Sequence, residues 1–263
     1  SYGPPGPSIN AVIEGNYSAV AKGGFSAKSL TVNSGSLVIG ATKNLKIEDG
    51  IVNNAGPNGI IVEDGGTLQQ VQPGGINSGA ITVNKNSNLL KRLDYTLWSS
   101  PVNGTQKLQD FSPLTSQSPS RFYTYNSSTN LYASVSPTLP FTVGTGYLIR
   151  MPNEDPDNLG TTSPYYLGNT TIQFKGSFLG VPNNGTLTTT GLAPNSMYGI
   201  GNPYPSNIDA DLFLAANSTD GTLYFWRKTN GASGTAYATY TTAGSVANGG
   251  FPAPNGIIAP CQG

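Results

Sequence analysis

The chain has 263 residues, of which 34 are Gly and 20 are Pro, and so many turn formers exclude a predominantly helical protein. Charged residues make up only 10%, with 13 Lys+Arg against 13 Asp+Glu, so the electrostatic basis for holding nucleic acid or a membrane surface is missing. Histidine is absent, which removes Ser-His-Asp and Cys-His catalysis, His-ligated zinc and the usual neutral-pH acid–base group.

Apolar residues at 37%, including 14 Tyr, 9 Phe and 2 Trp, suffice for a buried core. The Thr, Ser, Asn and Tyr that accompany the glycines favour short strands joined by tight turns, so the composition predicts an all-β protein. A polar, weakly charged chain of this kind suits an extracellular or cell-surface location. The opening Ser1-Tyr-Gly-Pro-Pro-Gly-Pro-Ser8 does not read as the start of a nascent chain, and a piece of a longer polypeptide is expected. No apolar run reaches the length of a membrane span, so no membrane insertion is expected. Cys261 has no partner for an internal disulfide and no histidine to activate it, and reads as a small buried side chain.

Residues 1–90 read as a β-solenoid of about four coils. Leu30-Thr-Val32, Leu37-Val-Ile39, Leu45-Lys-Ile47, Ile60-Ile-Val62 and Ile81-Thr-Val83 are triplets whose outer residues point the same way from a strand. Leu37 to Ile60 and Leu45 to Leu68 are each 23 residues apart and Ile60 to Ile81 is 21, a period that stacks one short coil on the next. Asn33-Ser-Gly35, Glu48-Asp-Gly50, Asn53-Asn54 and Glu63-Asp-Gly-Gly66 supply the corners. Glu48-Asp49 and Glu63-Asp64 are the carboxylate pairs that a polysaccharide-cleaving solenoid would need, but their place before Gly in equivalent corners reads better as solvated turns.

Residues 91–263 read as a duplicated antiparallel β-sandwich-like region, rich in aromatics, with copies at about 94–192 and 197–263. The motif Tyr95-Thr-Leu-Trp-Ser-Ser-Pro-Val102, Phe111, Arg121-Phe-Tyr-Thr-Tyr125 recurs as Tyr198-Gly-Ile-Gly-Asn-Pro-Tyr-Pro205, Phe213, Tyr224-Phe-Trp-Arg227. Pro101 to Pro203, Phe111 to Phe213 and Phe122 to Tyr224 are all 102 residues apart. Each copy is expected to open on a strand, bury one Phe through a loop and return on an aromatic strand. The second copy stops at Gly263, before a counterpart of Tyr147-Leu-Ile-Arg150, so an incomplete sheet is expected there, finished by further chain, self-association or a donated strand.

Three further groups are candidate sites. Glu154, Asp155 and Asp157 form the densest acidic run, and oxygen-rich loops of this type hold calcium, although the Asp-x-Asp-x-Asp-Gly frame is lacking and a solvated loop accounts for it equally. No other cofactor is expected. Asp209-Ala-Asp211 precedes Leu212-Phe-Leu214 and reads as a helix or turn cap. Tyr123, Tyr125, Tyr204, Tyr237 and Tyr240, with Tyr132, Tyr165 and Tyr166, are exposed-looking aromatics suited either to stacking on sugars or to packing within the sheets.

The runs Ala11-Val-Ile-Glu-Gly-Asn-Tyr17, Ala27-Lys-Ser-Leu-Thr-Val-Asn33, Leu68-Gln-Gln-Val71, Leu93-Asp-Tyr-Thr-Leu-Trp-Ser-Ser-Pro-Val102 and Gly201-Asn-Pro-Tyr-Pro-Ser-Asn-Ile-Asp-Ala-Asp211 together resemble large secreted proteins of Bacteroidota. In that group such a region lies ahead of a C-terminal type IX secretion sorting domain, and similar stretches occur in cell-surface adhesins, including those of gliding motility. The resemblance implies a non-enzymatic structural or adhesin module, with a protein or glycan surface as partner and the type IX secretion machinery as partner during export. The alternatives are a carbohydrate-binding or polysaccharide-degrading module, and export cargo bound to a secretion channel.

Overall fold

The computed structural model describes residues 4–227, 236–248 and 256–258. It is all-β, with 38% strand and 8% helix. Nine short strands open the chain: β1 (Ala11–Ile13), β2 (Tyr17–Ser18), β3 (Ser26–Ala27), β4 (Leu30–Val32), β5 (Leu37–Ile39), β6 (Asn44–Ile47), β7 (Ile51–Asn53), β8 (Ile60–Val62) and β9 (Thr67–Gln70). A single helical turn, α1 (Ala19–Lys22), lies between β2 and β3.

These strands form three parallel ladders, β1-β4-β7, β2-β5-β8 and β3-β6-β9, so each coil contributes one strand to each of three faces. The registers match the sequence period: Leu37 pairs with Ile60 and Leu45 with Leu68. The outer residues of each triplet point inward, and Leu30, Val32, Leu37, Ile39, Leu45, Ile47, Ile51 and Ile60 are all fully buried. A coil alone has no surface against which to bury that row, and stacking supplies it.

The solenoid has about three coils, fewer than the sequence period suggests. A fourth begins with Ser78 bridging Val52 and with Thr82 and Val83 of β10 (Ile81–Leu90) pairing on β8. It then ends, because β10 runs on for ten residues and takes an antiparallel partner along its length.

Corners use side chains as well as glycine. Asn53 lies in β7, not in a turn. It is buried, and its amide donates to Gly56 O at 2.7 Å and to Ala80 O at 2.6 Å, tying one coil to the next. Gly79 turns against it at φ +80°, where an added Cβ would stand 1.9 Å from Asn53 O. Asn54 Nδ2 donates to Asn33 Oδ1 at 3.0 Å, one coil below.

The next stretch comprises β11 (Tyr95–Trp98), β12 (Val102–Asn103), α2 (Leu108–Phe111), β13 (Phe122–Asn126), β14 (Leu131–Ser134), β15 (Tyr147–Arg150) and β16 (Ile172–Pro182). β11, β15, β13 and β14 make an antiparallel sheet in that order, whereas β16 pairs with β10 and β12. The sheet carrying β16 thus runs across the boundary read near residue 90. Trp98, Phe111, Phe141, Phe174 and Phe178 interlock beneath it, with Phe111 stacked on Phe178 at 4.6 Å. Gly176 makes room for this: a Cβ there would meet Phe111 at 2.6 Å. One continuous hydrophobic core reaches from Ala11 in the first coil to Phe178.

The last elements are β17 (Ile208–Asp209), α3 (Ala210–Ala216), β18 (Leu223–Trp226), β19 (Tyr237–Thr241), β20 (Gly244–Val246) and β21 (Ile257–Ile258). β18, β19 and β20 form a meander, and β21 pairs with β17. The loops expected around Phe111 and Phe213 contain the short helices α2 and α3, the second starting at the cap read at Asp209. Cys261 and the strand edge expected beside Gly263 lie outside the described residues.

Candidate functional site

The acidic corners of the solenoid are occupied by local partners. Lys85 Nζ stands 2.8 Å from Asp64, Asn84 donates to Glu63 Oε2 at 3.0 Å, and Lys46 approaches Glu48 at 3.9 Å. Asp64 and Glu63 take their partners from β10, the next strand in space, whereas Glu48 takes its own from Lys46, two residues earlier in the chain.

Glu154, Asp155 and Asp157 are used separately. Glu154 Oε2 accepts from Gly160 N at 2.8 Å, Asp155 Oδ1 accepts from Asp157 N at 3.0 Å, and Asp157 lies 3.7 Å from Lys175 Nζ at an exposed position. Among the described residues no three Asp, Glu, His or Cys side chains converge as a metal would require. Beside this loop a cleft of about 310 Å³ is lined by Asp155, Asp157, Gln173 and Lys175. Asp209 caps α3 by accepting from Leu212 N at 3.0 Å, as its position before Leu212-Phe-Leu214 suggests.

The tyrosines fall in several separate settings. Tyr125 and Tyr237 belong to one aromatic ladder with Tyr132 and Trp226, and Tyr123 makes a separate pair with Tyr95. Tyr123 meets Tyr95 edge-on at 5.9 Å, Tyr125 meets Tyr132 at 5.3 Å, and Tyr132 meets Trp226, which in turn meets Tyr237. Tyr237 OH donates to Tyr132 OH at 3.3 Å. Burial, and then the Tyr237 bond, raise the Tyr132 phenol well above its ordinary range.

Tyr204 lies apart, in a cleft of about 250 Å³ between the last coil and the 183–208 segment, with Gln69, Gln70, Asn183 and Asn184 around it. Its hydroxyl donates to Gly185 O, and burial raises its pKa. Tyr240 donates to Asp211 Oδ1 at 2.8 Å, a bond that raises its pKa. Tyr165, which the sequence leaves open to surface stacking or packing, is only 1% exposed and donates to Pro152 O at 2.9 Å. Tyr166 lies under the Arg92 guanidinium at 4.5 Å.

Arginines adjoin the pair of Tyr95 and Tyr123, a feature without a motif in the sequence. Tyr95 on β11 pairs directly with Arg150 on β15, and Arg150 N donates to Arg121 O at 3.1 Å on the far side. Phe122 and Ile149 point into the core, so by alternation Arg121, Arg150 and Tyr95 share the opposite face, with Tyr123 one step along. Arg121 Nη1 donates to Tyr123 OH at 3.1 Å, and Arg150 Nη2 donates to Asn153 Oδ1. The signal for this face was available in the alternation of Arg121-Phe-Tyr-Thr-Tyr125.

Fold and face together define an all-β protein built on a β-solenoid, with an aromatic and basic sheet surface beyond it. The family model described as a domain of unknown function, DUF8693, matches residues 3–263, and the chain belongs to that family. No curated protein and no solved structure matches it. Among the described residues no helix is long and apolar enough to cross a membrane.

Proposed function

We propose that the chain is a non-enzymatic extracellular module of a secreted surface protein, in which a solenoid spacer holds an aromatic β region away from its point of attachment. The observation that carries this reading is the single core from Ala11 to Phe178, because a shared core transmits load between spacer and sheet without a flexible joint. The absence of histidine from the sequence favours a mechanical or binding role over hydrolysis.

The region beyond the solenoid is read as a duplicated, sandwich-like unit. α2 and α3 begin at Leu108 and Ala210, 102 residues apart, and β13 and β18 begin 14 and 13 residues after them. The resemblance to Bacteroidota adhesins ahead of a type IX sorting domain supplies the cell-surface setting and the secretion machinery as the partner during export. Treating intact producing cells with a protease tests this: the protein should be shaved from the surface. Retention of the full signal until the cells are lysed would refute the reading.

A second reading, carbohydrate binding, is favoured by the tyrosine ladder and by the amide-lined cleft around Tyr204.

A further inference from the structure

We propose that Arg121 and Arg150, flanked by Tyr95 and Tyr123, form a binding site for the oxyanion groups of an acidic glycan, carboxylate or sulfate. The choice of a glycan as carrier rests on the surface reading above; the anion site itself rests on geometry.

The chain contains four arginines; Arg121 and Arg150 stand side by side on this face, and Arg92, over the Tyr166 ring, is near enough to act on the Arg150 charge. None of the three forms an ion pair with a carboxylate among the described residues, where each ion pair uses a lysine. The Nε atoms of Arg92, Arg121 and Arg150 are all buried without a hydrogen-bond partner. Like charges directly across a strand pair repel, and here the bond to Tyr123 favours the Arg121 charge while Arg150 bears the repulsion that a bound anion would relieve. Burial, and then the neighbouring Arg121 and Arg92, lower the Arg150 pKa, although the adjacent Tyr95 opposes this. Asp94 and Asp155 lie toward Tyr165, at the Arg92 end of the face.

A guanidinium presents its donors in a planar fork that matches a carboxylate or sulfate. The two arginines are rooted on adjacent strands whose backbones run ~4.8 Å apart, which places them to hold one anionic group together or two groups in succession. Tyr95 and Tyr123, both half-buried, add ring edges and hydroxyls of the kind that contact sugar rings. An acidic peptide would meet the same cations but would have less use for the aromatic flank.

The test is binding of the full chain, by calorimetry, to polygalacturonate, dextran sulfate and neutral dextran, with poly-glutamate as the peptide control. Binding to polygalacturonate assigns the carboxylate and binding to dextran sulfate the sulfate ester. Either should weaken as salt is raised, and neutral dextran should not bind. R121Q and R150Q should each weaken binding about tenfold or more, with the double variant at background. Should those variants misfold, the wild-type protein suffices: Arg121 and Arg150 Nε–Hε resonances should shift on titration while that of Arg227 stays in place. The proposal is overturned if neither anionic polymer binds, if well-folded variants bind as tightly as wild type, or if poly-glutamate binds more tightly than both. Anion binding by a protein that resists surface shaving would sink the surface reading and leave the site standing; a shaved protein that binds no anion does the reverse.

Discussion

Replacing Phe178 with Ala tests whether solenoid and aromatic region are one cooperative body. Phe178 is fully buried on β16 and pairs with Val83 of β10, the strand that closes the coils. Its ring stacks on Phe111 at 4.6 Å and touches Phe141 at 5.2 Å and Trp98 at 6.3 Å. Truncating a buried Phe to Ala costs about 3–5 kcal/mol, and here the hydrogen-bonded sheet above and three rings below restrict collapse, so the upper half of that range is expected. Urea unfolding followed by tryptophan fluorescence in a Trp226→Phe background, which reports on Trp98 alone, and by far-UV circular dichroism, which reports on all strands, should give midpoints that fall together with an unchanged slope. Phe178→Leu, which refills much of the volume, should fall between the two. A fluorescence midpoint that drops while the dichroism midpoint stays at its wild-type value would refute the reasoning, because the coils would then be standing without the aromatic cluster.

Asn53→Ala removes two donated bonds at a buried corner and should destabilise by roughly 2–4 kcal/mol in the same urea assay, since Gly56 O and Ala80 O lose their donor; a change below about 0.5 kcal/mol would show that water replaces the amide. Asp209→Ala removes the α3 cap and should cost about 1 kcal/mol, with Asp209→Asn near neutral in thermal melts. Burial raises the phenols of Tyr132 and Tyr165, so the unfolded chain releases these protons near pH 10 while the folded chain keeps them. The unfolded state then binds fewer protons, and stability that is intact below about pH 10 should fall above it by at most about 1.4 kcal/mol per pH unit for each tyrosine. Phenolate absorbance and urea midpoints measured across this range check the claim, and ionisation of both residues at ordinary pH in a chain that stays folded would contradict it.

The coils were legible because their signal is redundant. Alternation within each triplet chooses the buried face, and repetition about every 22 residues chooses the stacking partner. The number of coils was less legible, since Ile81-Thr-Val83 has the same pattern as the triplets before it. What ends the solenoid is a pairing with β16, where Ile81 meets Gly180, and no local pattern encodes a partner so distant. β16 itself was hidden because its inward positions alternate Phe174, Gly176, Phe178 and Gly180, so half of a buried face carries no apolar side chain. For Tyr165 the sequence leaves surface stacking and packing both open, because a tyrosine can be buried once its hydroxyl has a partner, and Pro152 O is visible only after folding.

The arginine row shows how register turns unremarkable residues into a site. Taken singly, Arg121 before an alternating strand and Arg150 at the end of Tyr147-Leu-Ile-Arg150 read as cations at strand ends, where solvent would accommodate them. The antiparallel pairing of Phe122 with Ile149 sets both one step outside the core, on the same face and side by side, with Tyr95 on the third strand of the row. A slip of one residue would send both guanidinium groups into the core, so burial of Phe122 and Ile149 enforces the juxtaposition as firmly as it enforces the fold. Other charges of the described residues have partners of opposite sign, Lys85 with Asp64, Lys46 with Glu48 and Lys175 with Asp157. In a chain only 10% charged, holding like charges together is a local conflict that sheet stability does not require, and such conflicts mark the places where a ligand completes the balance.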